Sequence, residues 1–147
     1  MPNQREEERG RDMNGEAQLS GRTILVVEDQ PAPREAMVGQ LSGAGASVIA
    51  CASAEELDAH LAGVEERHDG MMPQLVLLDL TLPGRSGLDA LRSLRRRPAF
   101  RTLPVVIVSG DDEASVIDEA LTAGCQGFLT KPVRMTQLIA TCLRVLR

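Results

Sequence analysis

The sequence predicts an α/β fold, a doubly wound protein with a five-stranded parallel sheet. Two observations lead to this class. Five short apolar runs alternate with longer segments in which apolar residues recur at helical spacing, which is typical of repeated βα units. Three of the five runs are continuously apolar, as expected for strands that helices cover on both faces.

The first half of the chain predicts two βα units. The run TILVV (23–27) is rich in β-branched residues and predicts the first strand, and the helix after it ends at the glycines of SGAG. A second strand is predicted at 47–51. Ser53 and Glu56 then form an S-x-x-E capping box, which opens the second helix. The polar segment 63–73 (GVEERHDGMMP) is predicted to be a loop.

The second half of the chain continues the alternation. The strands are predicted at 74–80, 104–109 and 127–130, and the helices at about 88–97, 112–123 and 134–147. The fourth helix is expected to turn four apolar residues inward, namely Val116, Ile117, Ala120 and Leu121. Sheets of this kind commonly have the strand order 2-1-3-4-5, so the predicted architecture is the flavodoxin-like (βα)5 fold.

Length and composition predict one folded domain behind a polar tail. The chain has 147 residues, 43% of them hydrophobic and 25% charged, as is ordinary for a soluble domain with one core. Residues 1–21 are charged and lack periodicity, so they are predicted to be a disordered tail before a domain at 22–147. No apolar run reaches the roughly 20 residues of a membrane span, and no signal peptide is visible, so a cytoplasmic protein is expected.

Charge and cysteine usage argue against several functions. The net charge of -5 disfavours direct binding of nucleic acid, which demands a basic surface. The closest group of basic residues consists of Arg92, Arg95, Arg96, Arg97 and Arg101. This group is predicted to be the solvated face and end of a helix. Cys51, Cys125 and Cys142 contain no C-x-x-C pair and are expected to be buried, reduced thiols.

Chemically reactive side chains follow four of the predicted strands. Strand one is followed by Glu28 and Asp29, strand three ends near Asp79, strand four at Ser109, and strand five just before Lys131. Ligands of doubly wound sheets bind at this edge, near the switch point between strands one and three. Three adjacent carboxylates repel one another unless a cation is present, and Mg²⁺ prefers such ligands. The sequence therefore predicts a metal site there.

The same residues predict phosphoryl chemistry. A carboxylate can attack phosphorus and form an aspartyl phosphate, while a metal, an ammonium and a hydroxyl hold the three phosphoryl oxygens. The chain has neither a G-x-x-x-x-G-K-[ST] nor a G-x-G-x-x-G loop, so nucleotide binding is not predicted.

Four motifs in this order resemble the receiver domain of bacterial two-component response regulators, of the chemotaxis-regulator type. They are the acidic pair ED after strand one, LLDLTLPGRSG around Asp79, VVIVSG, and AGCQGFLTKP with its lysine-proline pair. The spacings between the later motifs are also those usual in the family. The resemblance covers nearly all of the chain after about residue 22.

The resemblance implies that Asp79 accepts a phosphoryl group from the phosphohistidine of a sensor histidine kinase or of a phosphotransfer protein. Mg²⁺, with Mn²⁺ as an alternative ion, would be bound directly by Asp29 and Asp79, by the backbone carbonyl of Thr81, and by Glu28 largely through water. A receiver promotes only its own phosphorylation and dephosphorylation, so the protein is not expected to be an enzyme.

The family pattern also assigns the remaining positions. Ser109 would bond one phosphoryl oxygen and Lys131 another, and the lysine-proline bond of the family is typically cis. Phe128 stands where the family has its aromatic switch residue, although here it lacks the hydroxyl of tyrosine. Thr81 and Asp111 are candidates for tuning the rate of dephosphorylation.

The output expected from the resemblance is a change on the face formed by helix four, strand five and the last helix. Its partner would be a downstream protein, a C-terminal output domain if the chain is a fragment, or a second copy in a phosphorylation-dependent homodimer. No direct contact with nucleic acid or membrane is expected. The interval from Asp29 to Asp79 is longer than in compact family members, and segment 63–73 is the natural place for the excess.

Two other functions are weighed against this one. A phosphatase of the haloacid dehalogenase type also uses a nucleophilic Asp, but it needs a second acid where this chain has Thr81, and its acidic pair follows the nucleophile. A phosphorylation-independent interaction module of the same fold would have no need of the complete set of site residues.

Overall fold

The computed structural model describes residues 18–67, 72–110 and 114–147 of the chain, and within them five strands alternate with five α-helices. The strands are β1 (Thr23–Val27), β2 (Ser47–Cys51), β3 (Leu75–Asp79), β4 (Val105–Ser109) and β5 (Gly127–Thr130). The helices are α1 (Pro31–Gly43), α2 (Ala54–Arg67), α3 (Gly87–Arg96), α4 (Ala114–Ala123) and α5 (Met135–Val145), and a short 3-10 helix spans Pro98–Phe100.

The strands form one parallel sheet in the order β2-β1-β3-β4-β5, which confirms the predicted topology. Register pairs such as Val26 with Leu77 and Leu78 with Ile107 align the carboxyl ends of the central strands at one edge. Every residue of β1, β3 and β4 is buried, whereas β2 and β5 at the sheet edges are only partly buried. Burial on both faces explains why the central strands are continuously apolar.

Two hydrophobic layers sandwich the sheet. Residues on one face of the central strands, such as Leu25 and Leu78, pack with α2, α3 and α4. Their neighbours Ile24 and Leu77 point to the opposite face and pack with α1 and α5. The alternation of side chains along each strand therefore assigns helices to both faces, as a doubly wound fold requires.

Residues 18–21, at the end of the predicted tail, contact the folded part of the chain. Residues 18–21 form a turn, and Leu19 is fully buried in the layer under α1 and α5. The Leu19 amide donates a 2.9 Å hydrogen bond to the carbonyl of Ala44. A single leucine gives no periodic signal, which is why the sequence placed it in the tail. Residues 1–17 of the predicted tail lie outside the described residues.

Helix α2 extends through Arg67, although residues 63–67 were predicted to be loop. The added turn carries Glu65, whose carboxylate contacts the guanidinium of Arg97 at the end of α3. This tertiary ion pair has no signature in the local sequence. One half of the predicted capping box is confirmed, because the Glu56 amide donates to the Ser53 hydroxyl oxygen at 3.1 Å. The Glu56 carboxylate accepts from the amide of Ala52, one residue before the expected donor.

Helix α4 differs from its predicted packing. Ala120 is its buried residue and Val116 and Ile117 are half-buried, but Leu121 is 52% exposed and the prediction that it points inward is wrong. Leu121 follows Ala120 directly, and one residue turns a helix by about 100°, which carries its side chain away from the core. The predicted start of this helix at residue 112 falls outside the described residues.

The arginine group at the end of α3 is not simply a solvated face. Arg95 donates to the carbonyl of Gly124 from Nε at 3.1 Å and from Nη2 at 2.7 Å, and to the carbonyl of Phe100 at 3.0 Å. Arg97 contacts acids on α2. The prediction of a solvated cluster is therefore wrong for these two residues. The three cysteines are free and buried, as predicted.

Across the described parts of the chain, no helix combines the length and apolar character needed to span a membrane.

Candidate functional site

The carboxyl edge of the sheet gathers the predicted site residues. Glu28 and Asp29 follow β1, and Asp79 is the last residue of the adjacent strand β3. Lys131 comes directly after β5, and its amide donates a 2.9 Å hydrogen bond to the carbonyl of Ser109 at the end of β4. The site therefore lies at the switch point between β1 and β3, as the fold class requires.

Three carboxylates form a compact cluster there. One oxygen from each of Glu28, Asp29 and Asp79 lies within 4.8 Å of the others. Glu28 and Asp79 are buried, while Asp29 is partly exposed. A cluster of hard oxygen donors that is open on one side matches the ligand preference of Mg²⁺, which retains several waters. These residues therefore fit a divalent cation.

The Lys131 ammonium bridges two of the carboxylates. Its Nζ donates to Glu28 Oε1 at 2.5 Å and to Asp79 Oδ2 at 2.8 Å. Burial raises the pKa of Glu28, the hydrogen bond from Lys131 opposes that rise, and the neighbouring Asp79 adds to it. Burial alone would lower the pKa of Lys131, but its bonds to Asp79 and Glu28 outweigh burial and raise it. The ammonium offsets only part of the negative charge, because one cation faces three acids.

The loop after β3 orients the Asp79 carboxylate. The Thr81 amide donates to Asp79 Oδ1 at 2.9 Å, so each carboxylate oxygen has its own donor. The chain then turns back, and the Gly87 amide donates to the carbonyl of Leu80 at 3.0 Å. A Cβ at Gly87 would stand 2.0 Å from the backbone oxygen of Asp79, a distance that no side chain can occupy. Glycine is therefore required where α3 begins beneath the site.

The hydroxyl and aromatic positions lie on the strands β4 and β5. Ser109 is 1% exposed, and its strand β4 pairs with β3 so that Val108 is the register partner of Asp79. Phe128 pairs in register with Ile107 and packs, half-buried, against the layer of α2, α3 and α4. Their roles as switch residues remain predictions. Asp111 lies outside the described residues, so its position is not described.

Sequence reasoning missed two arginines that hold the loops of the site. Arg85, in the loop after Asp79, donates from Nη2 to Asp58 Oδ2 of α2 at 2.6 Å. Arg34 of α1 donates to backbone carbonyls of the acidic pair. Both contacts form only when the chain folds, and no local motif predicts them. For Arg85 the sequence shows only that Asp58 has the opposite charge. The Lys131–Pro132 peptide bond is cis, as the resemblance implied.

The doubly wound sheet and the lysine-bridged acid cluster at its switch point define a receiver-type α/β domain. A family model described as the response regulator receiver domain matches residues 24–143. The chain therefore belongs to the response regulator receiver family of two-component systems, which confirms the resemblance found in its motifs. Receiver domains are signalling modules rather than enzymes of the usual kind, they bind Mg²⁺ in general, and response regulators interact with histidine kinases and output domains.

Individual relatives agree with this assignment. The phosphate regulon transcriptional regulatory protein PhoB of Pseudomonas aeruginosa is 32% identical over 129 residues, an alignment that covers 88% of this chain and 53% of PhoB. The chain thus spans about half the length of this relative.

Solved structures share the fold. Chemotaxis protein CheY4 of Vibrio cholerae matches with a TM-score of 0.76 at 22% identity, over 85% of this chain and 98% of that one. The cyanobacterial phytochrome response regulator RcpA, solved in its phosphorylated form, matches with a TM-score of 0.71 at 25% identity, over 84% of this chain and 90% of that one.

Proposed function

We propose that Asp79 accepts a phosphoryl group from the phosphohistidine of a histidine kinase or phosphotransfer protein in a Mg²⁺-dependent reaction. The observation that supports this most directly is the placement of the Asp79 carboxylate. It is buried, bonded to the ammonium of Lys131 at 2.8 Å, and lies within 4.8 Å of two further acids. A purely structural aspartate would have no need of two additional carboxylates on the same side of the sheet.

The side chains of the site can supply each group that the transfer requires. An oxygen of Asp79 forms a bond to phosphorus, the bond from phosphorus to the donor's imidazole nitrogen breaks, and its electron pair returns to the imidazole. Lys131 then pairs with a phosphoryl oxygen instead of the free carboxylate, and the hydroxyl of Ser109 donates to another. The Thr81 amide, which donates to Asp79 Oδ1, keeps the attacking residue oriented.

The divalent ion would be held by Asp29 and Asp79 directly, by the backbone carbonyl of Thr81, and by Glu28 largely through water. When bound, Mg²⁺ supplies positive charge to the phosphoryl oxygens, and Mn²⁺ can take the same place. The surplus negative charge of the cluster supports this assignment, because Lys131 alone does not offset it.

Phosphorylation would shift an equilibrium between two states of the face formed by α4, β5 and α5. Phe128 lies in β5 and Ser109 at the end of the neighbouring strand β4, and both are the proposed switch residues. Leu121 and Met135 are 52% and 53% exposed on its helices and offer apolar contacts. The partner would be a downstream protein, an attached output domain, or a second copy in a phosphorylation-dependent homodimer. Thr81 and Asp111 would tune the lifetime of the phosphoryl group.

A labelling experiment tests the proposal. The chain is incubated with acetyl phosphate and Mg²⁺, and the modified residue is located by mass spectrometry after trapping the acyl phosphate. We expect modification of the wild type and none of Asp79→Asn, while Asp89→Asn, a change at an exposed acid of α3, behaves as wild type. Labelling of Asp79→Asn at the wild-type level, or no labelling of the wild type with Mg²⁺ present, would contradict the proposal and favour a phosphorylation-independent interaction module.

A further inference from the structure

The side chain of Arg34 reaches back from α1 to the backbone of the acidic pair. Its Nη1 donates to the carbonyl oxygen of Glu28 at 2.9 Å and to that of Asp29 at 3.2 Å. These bonds run from the first turn of the helix across the turn that joins it to β1. One guanidinium nitrogen thus contacts both residues whose carboxylates enter the cluster with Asp79.

Two backbone hydrogen bonds anchor the ends of this turn, from the Glu28 amide to the carbonyl of Cys51 at 3.0 Å and from the Arg34 amide to the carbonyl of Gln30 at 3.1 Å. Between these two bonds Gln30 makes no side-chain capping bond, and Pro31 and Pro33 have no backbone N–H to donate. The other side-chain bond described within the turn runs from the Gln30 amide to Glu28 Oε2 at 3.4 Å, which is long for a hydrogen bond. Among the described bonds, the carbonyls of Glu28 and Asp29 accept only from the guanidinium of Arg34.

We infer that Arg34 is a positioning residue for the divalent cation site. Its guanidinium holds the backbone of Glu28 and Asp29 from the α1 side, so that their carboxylates stay directed toward Asp79. Lys131, directly after β5, donates to the Glu28 carboxylate itself at 2.5 Å. The inference rests on the proposed function, because it assigns a further residue to the same metal site.

The charge of Arg34 and its positioning role have opposite effects on metal affinity. A guanidinium close to the site repels a divalent cation, so loss of its charge alone would tighten Mg²⁺ binding. Loss of the carbonyl contacts frees the turn and would weaken binding, since partners that orient metal ligands commonly contribute tenfold or more to affinity. The direction of the change in Kd therefore distinguishes the two roles.

The test compares Arg34→Ala, Arg34→Lys and Arg92→Ala with the wild type. Arg92→Ala is the matched control, because Arg92 is exposed on α3 and pairs only with Asp89 among its described neighbours, at 3.6 Å. Mg²⁺ affinity is measured by isothermal titration calorimetry at fixed ionic strength. We expect Kd to rise about tenfold in Arg34→Ala and by a smaller factor in Arg34→Lys, which keeps the charge without the planar geometry. Arg92→Ala should stay within about twofold of wild type.

A second measurement needs no metal. The Gln30 amide lies in the turn, and its hydrogen exchange, followed by NMR in metal-free protein, should be faster in both Arg34 variants than in the wild type and in Arg92→Ala. Unchanged or tighter Mg²⁺ binding by Arg34→Ala would overturn the inference, as would unchanged exchange at Gln30.

The two proposals fail in different ways. A wild type that binds no Mg²⁺ would refute the proposed function, and the exchange of Gln30 would then decide whether Arg34 holds the turn. A wild type that binds Mg²⁺ with the same affinity as Arg34→Ala would refute only the inference about Arg34. If Arg34→Ala does not fold, Arg34→Lys decides the inference through the same two measurements.

Discussion

The ammonium of Lys131 and the carboxylate of Asp79 form a 2.8 Å ion pair between positions 52 residues apart in the chain. The pair joins the end of β5 to the end of β3, two strands that β4 separates in the sheet. The same ammonium also reaches Glu28 at the end of β1. One side chain therefore connects three of the five strands at the edge where phosphoryl transfer is proposed.

Replacing Lys131 by arginine should preserve the fold and the charge but weaken phosphorylation and switching. A bulkier guanidinium fork cannot take the place of a slender ammonium that contacts two carboxylates, and its geometry is less adaptable when a phosphoryl group arrives. We expect labelling by acetyl phosphate to slow by roughly tenfold or more. The far-ultraviolet circular dichroism spectrum should stay as in the wild type. Labelling of Lys131→Arg at the wild-type rate would refute this explanation of why the chain has lysine at position 131.

Gly87→Ala should destabilise the protein by about 2 kcal/mol or more, because the new Cβ would stand 2.0 Å from the backbone oxygen of Asp79. Gly39→Ala is the matched control, since Gly39 lies within α1 with open space around its Cβ position. That variant should be more stable by up to about 1 kcal/mol. Urea unfolding followed by circular dichroism measures both changes. Equal stabilities of the two variants would show that α3 can move away from Asp79 at no cost.

Arg95→Ala should destabilise the protein by about 1–3 kcal/mol, because the carbonyl of Gly124 would lose both guanidinium donors. This carbonyl lies in the turn between α4 and β5, so the loss should loosen the face proposed as the output surface. The neighbouring Arg96 is exposed on α3, and Arg96→Ala should change the free energy of unfolding by less than about 0.5 kcal/mol. Equal effects in the two variants would count against a structural role of Arg95.

Stability should fall at alkaline pH mainly through the buried thiols. Burial raises the pKa of Cys51 to about 11 and that of Cys142 to about 12, whereas the pKa of a cysteine thiol in the unfolded chain is about 8.5. Above that pH the unfolded chain loses protons that the folded chain keeps, so the free energy of unfolding decreases as pH rises. Each thiol contributes a slope on the order of 1 kcal/mol per pH unit between its unfolded and folded pKa values.

The composition makes this alkaline effect measurable. The chain contains no tyrosine and one lysine, and the bonds of Lys131 raise its pKa, so that group keeps its proton in the same window. Urea unfolding under reducing conditions should show the decline from about pH 8.5 to about pH 10. The decline should be smaller in a variant carrying Cys51→Ala and Cys142→Ala. An equally steep decline in that variant would assign the effect to other groups.

Much of the fold follows from local sequence. The structure places β1, β2 and β5 at the predicted bounds. The runs of β1 and β5 end at the charged residues Glu28 and Lys131, and β2 is followed within two residues by Ser53, which caps the next helix. The topology then brings the residues after β1, β3 and β5 to one edge. The identity of the acid cluster could therefore be predicted without coordinates, since it depends only on strand ends and strand order.

The parts that were missed depend on partners distant in sequence. Leu19 is buried because α1 and α5 cover it, and the last turn of α2 carries Glu65 in contact with Arg97. Arg95 binds a carbonyl 29 residues away. Such contacts form only when the helices pack on the sheet, so no local pattern of charge or hydrophobicity predicts them.

The single lysine also provides a spectroscopic reporter. An amine-directed reagent can modify only Lys131 and the α-amino group of the chain, and a protein labelled with ¹⁵N at lysine gives one side-chain ammonium signal. That signal comes from the Lys131 nitrogen that donates hydrogen bonds to Glu28 and Asp79. Its chemical shift and proton exchange rate should therefore change when a metal ion binds and when Asp79 is phosphorylated. Such measurements would follow the reactive centre in solution without introducing a foreign probe.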